Sequence, residues 1–192
     1  NLTNLIPNKQ FGHLQRYAFS FSNGQKMDRL SIETGYCNFT IKEINDTRNP
    51  QLTITLNLDT ATADKLDQLR DKLNGICDSQ KNKIVKSGKK VHIYTNEYDI
   101  EDEDEYEDNR KNYKHKVIKE KKEKVRQLKV HYNTYLKNDH SAKLKKLIND
   151  LNPATDKIKV LCTGTFWASI RTSCGVKFVI DSIKCQKTFS ML

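Results

Sequence analysis

Between Asp156 and Cys185, two runs of alternating apolar and polar residues flank the short polar stretch Arg171-Thr172-Ser173. A period of two belongs to strands, and two such runs joined by so few residues leave little but an antiparallel hairpin. On the first run Ile158, Val160, Cys162, Gly164 and Phe166 fall on one side, and Lys159, Leu161, Thr163, Thr165 and Trp167 on the other. On the second, Val176, Phe178, Ile180 and Ser182 share a side, opposed by Gly175, Lys177, Val179 and Asp181. One face of the hairpin is therefore expected in the core, and a bulge in either arm would exchange the faces beyond it. The other face carries the only Trp of the chain beside Lys159 and Lys177, with Arg171 at the turn. A lone Trp in a small domain is as a rule a core residue. Cationic neighbours argue instead for a platform, because an aromatic ring among cations on a strand surface holds unstacked bases and their phosphates.

The remainder of the chain supplies strands for that hairpin to join. Residues 1–16 are polar and read as a loose arm. Tyr17, Phe19 and Phe21 alternate, Gly24 marks a turn, and short strands are expected over 29–32 and 37–42. The clearest strand is 51–58, with Leu52, Ile54, Leu56 and Leu58 on one side and Thr53, Thr55 and Asn57 on the other. At Asp59 the period lengthens. Leu66, Leu69, Leu73 and Ile76 predict an amphipathic helix, with Thr60 or Thr62 as its cap and Gly75 near its end. A basic loop over 81–90 leads into a short strand, Val91 to Tyr94. An acidic block, Asp99 to Asp108, then abuts a basic one, Arg110 to Arg126, and 99–124 reads as a charged insertion within one domain of 192 residues. Residues 127–136 alternate as a strand, with a helix as the rival reading. Leu144, Leu147, Ile148 and Leu151 predict a second helix that Pro153 ends.

Charge narrows the function classes. The formal net charge is +10, which favours a polyanionic partner. The five histidines are scattered without a metal-binding spacing, and no CxxC pair, glycine-rich phosphate loop or G-x-S-x-G occurs. The acidic block is too uniform for a tuned acid–base pair and lacks the spaced ligands of a calcium loop. Catalysis, metals and cofactors are accordingly not expected. The five cysteines read as reduced thiols, several of them buried, with a Cys162–Cys185 contact across the hairpin left open. No apolar run reaches the roughly 20 residues of a membrane span, and no secretory signal opens the sequence.

Three segments carry a resemblance. They are Leu30-Ser31-Ile32-Glu33-Thr34-Gly35-Tyr36-Cys37-Asn38-Phe39, the strand Leu52 to Leu58 with the helix Asp64 to Ile76, and the ending Cys162-Thr163-Gly164-Thr165-Phe166-Trp167 followed by Gly175-Val176-Lys177-Phe178. Their order resembles the single-stranded DNA-binding protein family of nucleocytoplasmic large DNA viruses, an OB-fold family distantly similar to phage single-strand binders. Gly35 and Asn38 depart from the Pro or Lys expected there, and the acidic tail of phage binders has no counterpart in Thr188 to Leu192. The internal acidic block either solvates as a self-paired loop or occupies the basic surface as a phosphate mimic.

These readings combine into an α+β, mostly β domain: an OB-like open barrel of five to six strands with one or two packing helices and the charged insertion. The resemblance implies sequence-tolerant binding of single-stranded DNA in viral replication or packaging, at a replication site in host cytoplasm or nucleus or inside the virion. Viral replication or capsid proteins are the expected further partners. The rival is a non-enzymatic virion component, a minor capsid or core-associated protein that docks coat proteins. The expected contacts are Trp167, Lys159, Lys177 and Arg171, then Tyr36, Lys42, Lys89, Lys90 and Tyr94.

Overall fold

A computed structural model describes residues 1–80, 82–95, 125–169 and 172–188. The element order is β1 (Leu2–Phe11), β2 (Leu14–Phe21), β3 (Lys26–Met27), β4 (Leu30–Glu33), β5 (Phe39–Ile44), β6 (Gln51–Asn57), α1 (Thr60–Ser79), β7 (Val91–His92), β8 (Gln127–His131), α2 (Asp139–Asn149), β9 (Asp156–Ser169) and β10 (Ser173–Lys187). The class is α+β and mostly β, with two helices and an open sheet. The strand count differs from the five to six expected. Ten strands form one mixed sheet along the path β1-β2-β9-β10-β8-β6-β5, with β3 beside β2, β4 beside β9 and β7 beside β10. The outermost strands of that path, β1 and β5, do not pair with each other.

The β9–β10 hairpin is the spine. Its arms pair antiparallel from Ser169–Ser173 at the turn to Asp156–Lys187 at the base. The turn lies one or two residues earlier than expected, since Ser173 is already paired and Thr172 N–H donates to the Ser169 carbonyl at 2.8 Å. Every even residue of β9 from Asp156 to Ala168 is buried, whereas Lys159 to Ser169 on the odd side are half-exposed. A bulge between Ile180 and Ser182 moves β10 by one position, so Ile183 rather than Ser182 continues its core face.

Both helices pack on the core face. Asp59 caps α1, accepting from Thr62 N–H, and Ala63, Leu66, Leu73, Ile76 and Cys77 turn inward. Gly75 lies inside this helix, which runs on to Ser79. Asn138 caps α2, which starts at Asp139, five residues before the first predicted helical position Leu144, and Leu144 and Ile148 are buried in the core. Phe19, Phe166 and Phe178 are essentially inaccessible. Burial on that scale stabilises the fold by about 1.5–3 kcal/mol per side chain. Tyr17 meets Phe166 edge-on, with ring centroids 5.8 Å apart.

The expected loose arm is ordered. Residues 1–16 form β1 and the start of β2, an antiparallel hairpin with Gly12 at its tip in the left-handed region (φ +58°). Polar composition concealed these strands because β1 is an edge with little to bury: Leu5 is its only buried residue. The 127–136 segment is a strand only to His131. The charged insertion 99–124 lies outside the described residues.

Candidate nucleic-acid interface

Strand register assembles the surface opposite the helices. Trp167 faces Arg16 of β2 on one side and Gly175 of β10 on the other. One row along, Thr165 faces Lys177, and the parallel register of Phe178 with Val130 sets Lys177 beside Lys129 of β8. The next row runs Ser31, Thr163, Val179, His131, Thr53 and Lys42, from β4 across to β5. Buried neighbours flank these positions along β9, β10, β8 and β6, and of the positions themselves only Gly175 and Thr53 are buried. The positions therefore share the face that neither helix covers.

Trp167 is half-buried, neither sealed in the core nor among the exposed large hydrophobic residues. Among the described residues no buried side-chain nitrogen or oxygen lacks a hydrogen-bond partner and no residue accepts from the indole N–H, so that group is not sealed from solvent. Gly175 puts no side chain beside the indole, and the His92 backbone closes against it. It must be glycine, because a Cβ there would lie 2.5 Å from the His92 carbonyl oxygen. Arg16, Lys129 and Lys177 are in no ion pair among the described residues. Burial first, then the charges of Lys177 and Lys129, push His131 down to about 4, so it is neutral at pH 7. Carboxylates among the strand residues of this face sit toward the other end: Asp181, which accepts from Thr163 Oγ1 at 2.5 Å, and Glu33. Among the described residues the Trp167 end is thus a cationic strand surface without a carboxylate and with one indole ring.

Lys159 is differently placed. Its Nζ lies 2.9 Å from Glu33 Oε1 and 5.9 Å from the centre of the Tyr36 ring. The hydrogen bond with Lys159, and then its charge, hold the Glu33 carboxyl below its usual range, and the same contact raises Lys159. Tyr36 is exposed and positioned by its neighbour. Gly35 N–H donates to Asp59 Oδ1 at 2.9 Å, and a Cβ on Gly35 would sit 2.8 Å from the Asp59 carboxyl carbon. Glycine at this position is what lets the loop close on the cap of α1.

The remaining sequence-predicted residues scatter. Lys42 is exposed on the same face, four strand spacings and two side-chain rows from Trp167, or about 23 Å. Lys89 and Lys90 are exposed in the turn before β7, and Val91 faces Cys174, which puts them by the hairpin tip. Arg171 lies outside the described residues. Tyr94 is a correction: it is 9% exposed, and its phenol oxygen lies 2.7 Å from Asp67 Oδ1 and 3.1 Å from the Ala63 carbonyl. It locks the β7 exit onto α1, and burial followed by Asp67 raises its pKa far above the ordinary phenol range. Two cations were missed, Arg16 and Lys129. Lys129 had a signal, since Gln127, Lys129 and His131 alternate with buried Leu128 and Val130. Arg16 had none, because only the cross-strand register joins it to Trp167.

Other chemistries find little support in the side chains. Burial raises the thiols of Cys162 to about 12 and Cys37 to about 11, and a hydrogen bond to Cys77 with burial holds Cys174 higher still, so these three remain protonated at neutral pH. Cys162 faces Ile180 and Cys185 faces Ile158, so the two are not opposite each other, and all five cysteines are free. Among the described residues there is no cluster of three or more metal-ligating side chains, and no helix is long and apolar enough to cross a membrane. Two open grooves of about 600 and 560 Å³ lie at the β1–α1 and β8–α2 boundaries, and Trp167 lines neither. Compared with known proteins, the chain matches the model of no protein family, no curated protein and no solved structure.

Proposed function

We propose that the open sheet face binds single-stranded nucleic acid with little sequence preference. Bases stack on Trp167, and Arg16, Lys177 and Lys129 neutralise phosphates. The observation that carries this reading is a half-buried Trp with an arginine as its neighbour on β2 and a lysine pair one row along, none of them ion-paired among the described residues, on a face that neither α1 nor α2 covers. Stacking needs only the π-face that every base has, and cations follow the backbone, so tolerance of sequence is built in. A flat surface suffices for stacking, which accounts for the absence of Trp167 from both grooves. A role for DNA binding in viral replication or packaging rests on the resemblance of the three sequence segments alone.

The rival reading, a virion component that docks other proteins, has one observation in its favour. Tyr135 and Leu136 in the β8–α2 connection are 75% and 49% exposed. Fluorescence titration separates the two, with Trp167 as an intrinsic reporter. Oligothymidylate is expected to quench the indole, with log K falling against log salt by about 0.7 per phosphate contacted. No quenching and no binding at low salt would remove the nucleic-acid reading and leave the docking one.

A further inference from the structure

The N-terminal hairpin adds a second aromatic ring to the same face. Phe11 of β1 faces Leu14 of β2, and Leu14 faces Ser169 of β9. Residues opposite each other in an antiparallel pair point to one side, so Phe11 shares the side of Arg16 and Trp167. Phe11 is 44% exposed, although as an edge residue at a hairpin tip it has no core to enter. The Arg16 guanidinium carbon lies 4.8 Å from the centre of its ring, and Lys9 Nζ lies 5.0 Å from it. Arg16 is also the cross-strand neighbour of Trp167. A ring, a guanidinium and a second ring therefore follow one another obliquely across β1, β2 and β9. Lys9 stands before the first ring, and Lys177 and Lys129 lie beyond the second.

Geometry fixes what such a series can hold. Phe11 and Trp167 are two strand spacings apart and one side-chain row out of step, about 12 Å between backbones. On β2, the strand between them, the polar group of this face is Arg16, a planar cation with donors for phosphate oxygens. Two rings that each take a base, with a cation between them for the connecting phosphate, form a track for an unpaired polynucleotide. A peptide or a lone anion would use only part of it.

We infer that Phe11 is a second base-stacking residue and Arg16 the phosphate clamp between the two rings, so that the bound strand crosses the sheet from the β1–β2 hairpin toward β8. This rests on the reading of Trp167 as a platform and extends it. The shared chemistry is a run of unpaired bases, supplied by DNA or RNA.

The test uses the intact chain with oligothymidylates from about 4 to 16 nucleotides, the range one such site covers, and with oligouridylates of the same lengths. Phe11→Ala and Arg16→Ala should each weaken the longer oligomers by roughly 5-fold or more, within the range for losing a stacked base. Oligomers at the short end should lose less, and Phe11→Tyr should retain affinity. The ratio of thymidylate to uridylate affinities identifies the natural source. Photocrosslinking of iodouridine-substituted oligomers to the unaltered protein should give adducts at both Phe11 and Trp167, a readout independent of how any variant folds. Adducts at Trp167 without Phe11, or a folded Phe11→Ala that binds every length as the wild type does, would overturn the second platform and leave the first. Failure of the unaltered protein to bind any oligomer would overturn both.

Discussion

The two ends of the outer face of the β9–β10 hairpin have similar composition and opposite character. Lys159 and Trp167 are eight residues apart on β9, about 26 Å along the strand. At the Lys159 end the cation is engaged by Glu33 and by the Tyr36 ring, and Asp181 lies between the two ends. At the Trp167 end Arg16, Lys177 and Lys129 meet no carboxylate among the described residues, and the repulsion of Lys177 and Lys129 adds to burial in lowering the His131 pKa. A lysine in the sequence is thus not yet a free charge. The net charge of +10 says little about where a polyanion would bind; ion pairing decides it by removing one end of the strand from the competition.

The largest expected effect tests this contrast directly. Trp167→Ala should cost about 1–3 kcal/mol of oligonucleotide affinity, or roughly 5- to 150-fold. The half-buried indole also contributes to stability, so affinity is compared at a temperature where the variant is folded. Lys159→Ala should change affinity by less than about 2-fold, since Glu33 already neutralises that cation and holds it away from a phosphate. Equal losses from the two substitutions, measured by anisotropy at one salt concentration, would erase the distinction between the ends.

A smaller effect separates charge from stacking. Lys177→Ala and Lys129→Ala should each lower the slope of log K against log salt by about 0.7 if each meets one phosphate. Lys159→Ala should leave that slope as it was. Trp167→Ala should lower affinity at every salt concentration with the slope kept, because a stacked base releases no counterion. A slope that falls with Lys159→Ala and not with Lys177→Ala would move the site to the other end of the hairpin.

The sequence disclosed the parts of this molecule whose period is enforced by burial. β9, β10 and β6 each set one face against the core, and α1 and α2 do so at helical spacing, so alternation or periodicity located them. Trp167 and Lys177 were legible for the same reason. What escaped depends on pairing at a distance. β1 buries only Leu5, so a ten-residue strand passed for a loose arm, and with it went Phe11, Lys9 and Arg16. Tyr94 failed in the opposite sense: alternation gives an exposed and a buried tyrosine the same appearance, and only the packing of α1 distinguishes them. The cap of α1 fell to Asp59 rather than Thr60 or Thr62 because Gly35, from a loop 24 residues earlier, supplies that carboxylate with another donor.

The smallest expected effect is a proton, and it reports how far across the sheet a bound strand extends. His131 is surrounded by Lys129 on its own strand and Lys177 on β10, with uncharged Val179 and Thr53 as its cross-strand partners. Its folded pKa of about 4 lies below the ordinary value of about 6.5. Between those limits the unfolded chain binds the proton and the folded one does not, so stability rises with pH through this window and is lost as pH falls from about 6.5 toward 4. A phosphate at Lys177 and Lys129 would offset their charges and favour the imidazolium, raising the His131 pKa in the complex. Binding would then take up a proton in the same window, and affinity would climb as pH falls through it, by a few-fold at most. His131→Gln should flatten both dependences, and an NMR titration of the His131 ring with and without oligothymidylate reads the pKa itself. If that pKa does not move on binding, the nucleic acid stops short of β8, and the track is confined to β1, β2 and the β9–β10 hairpin.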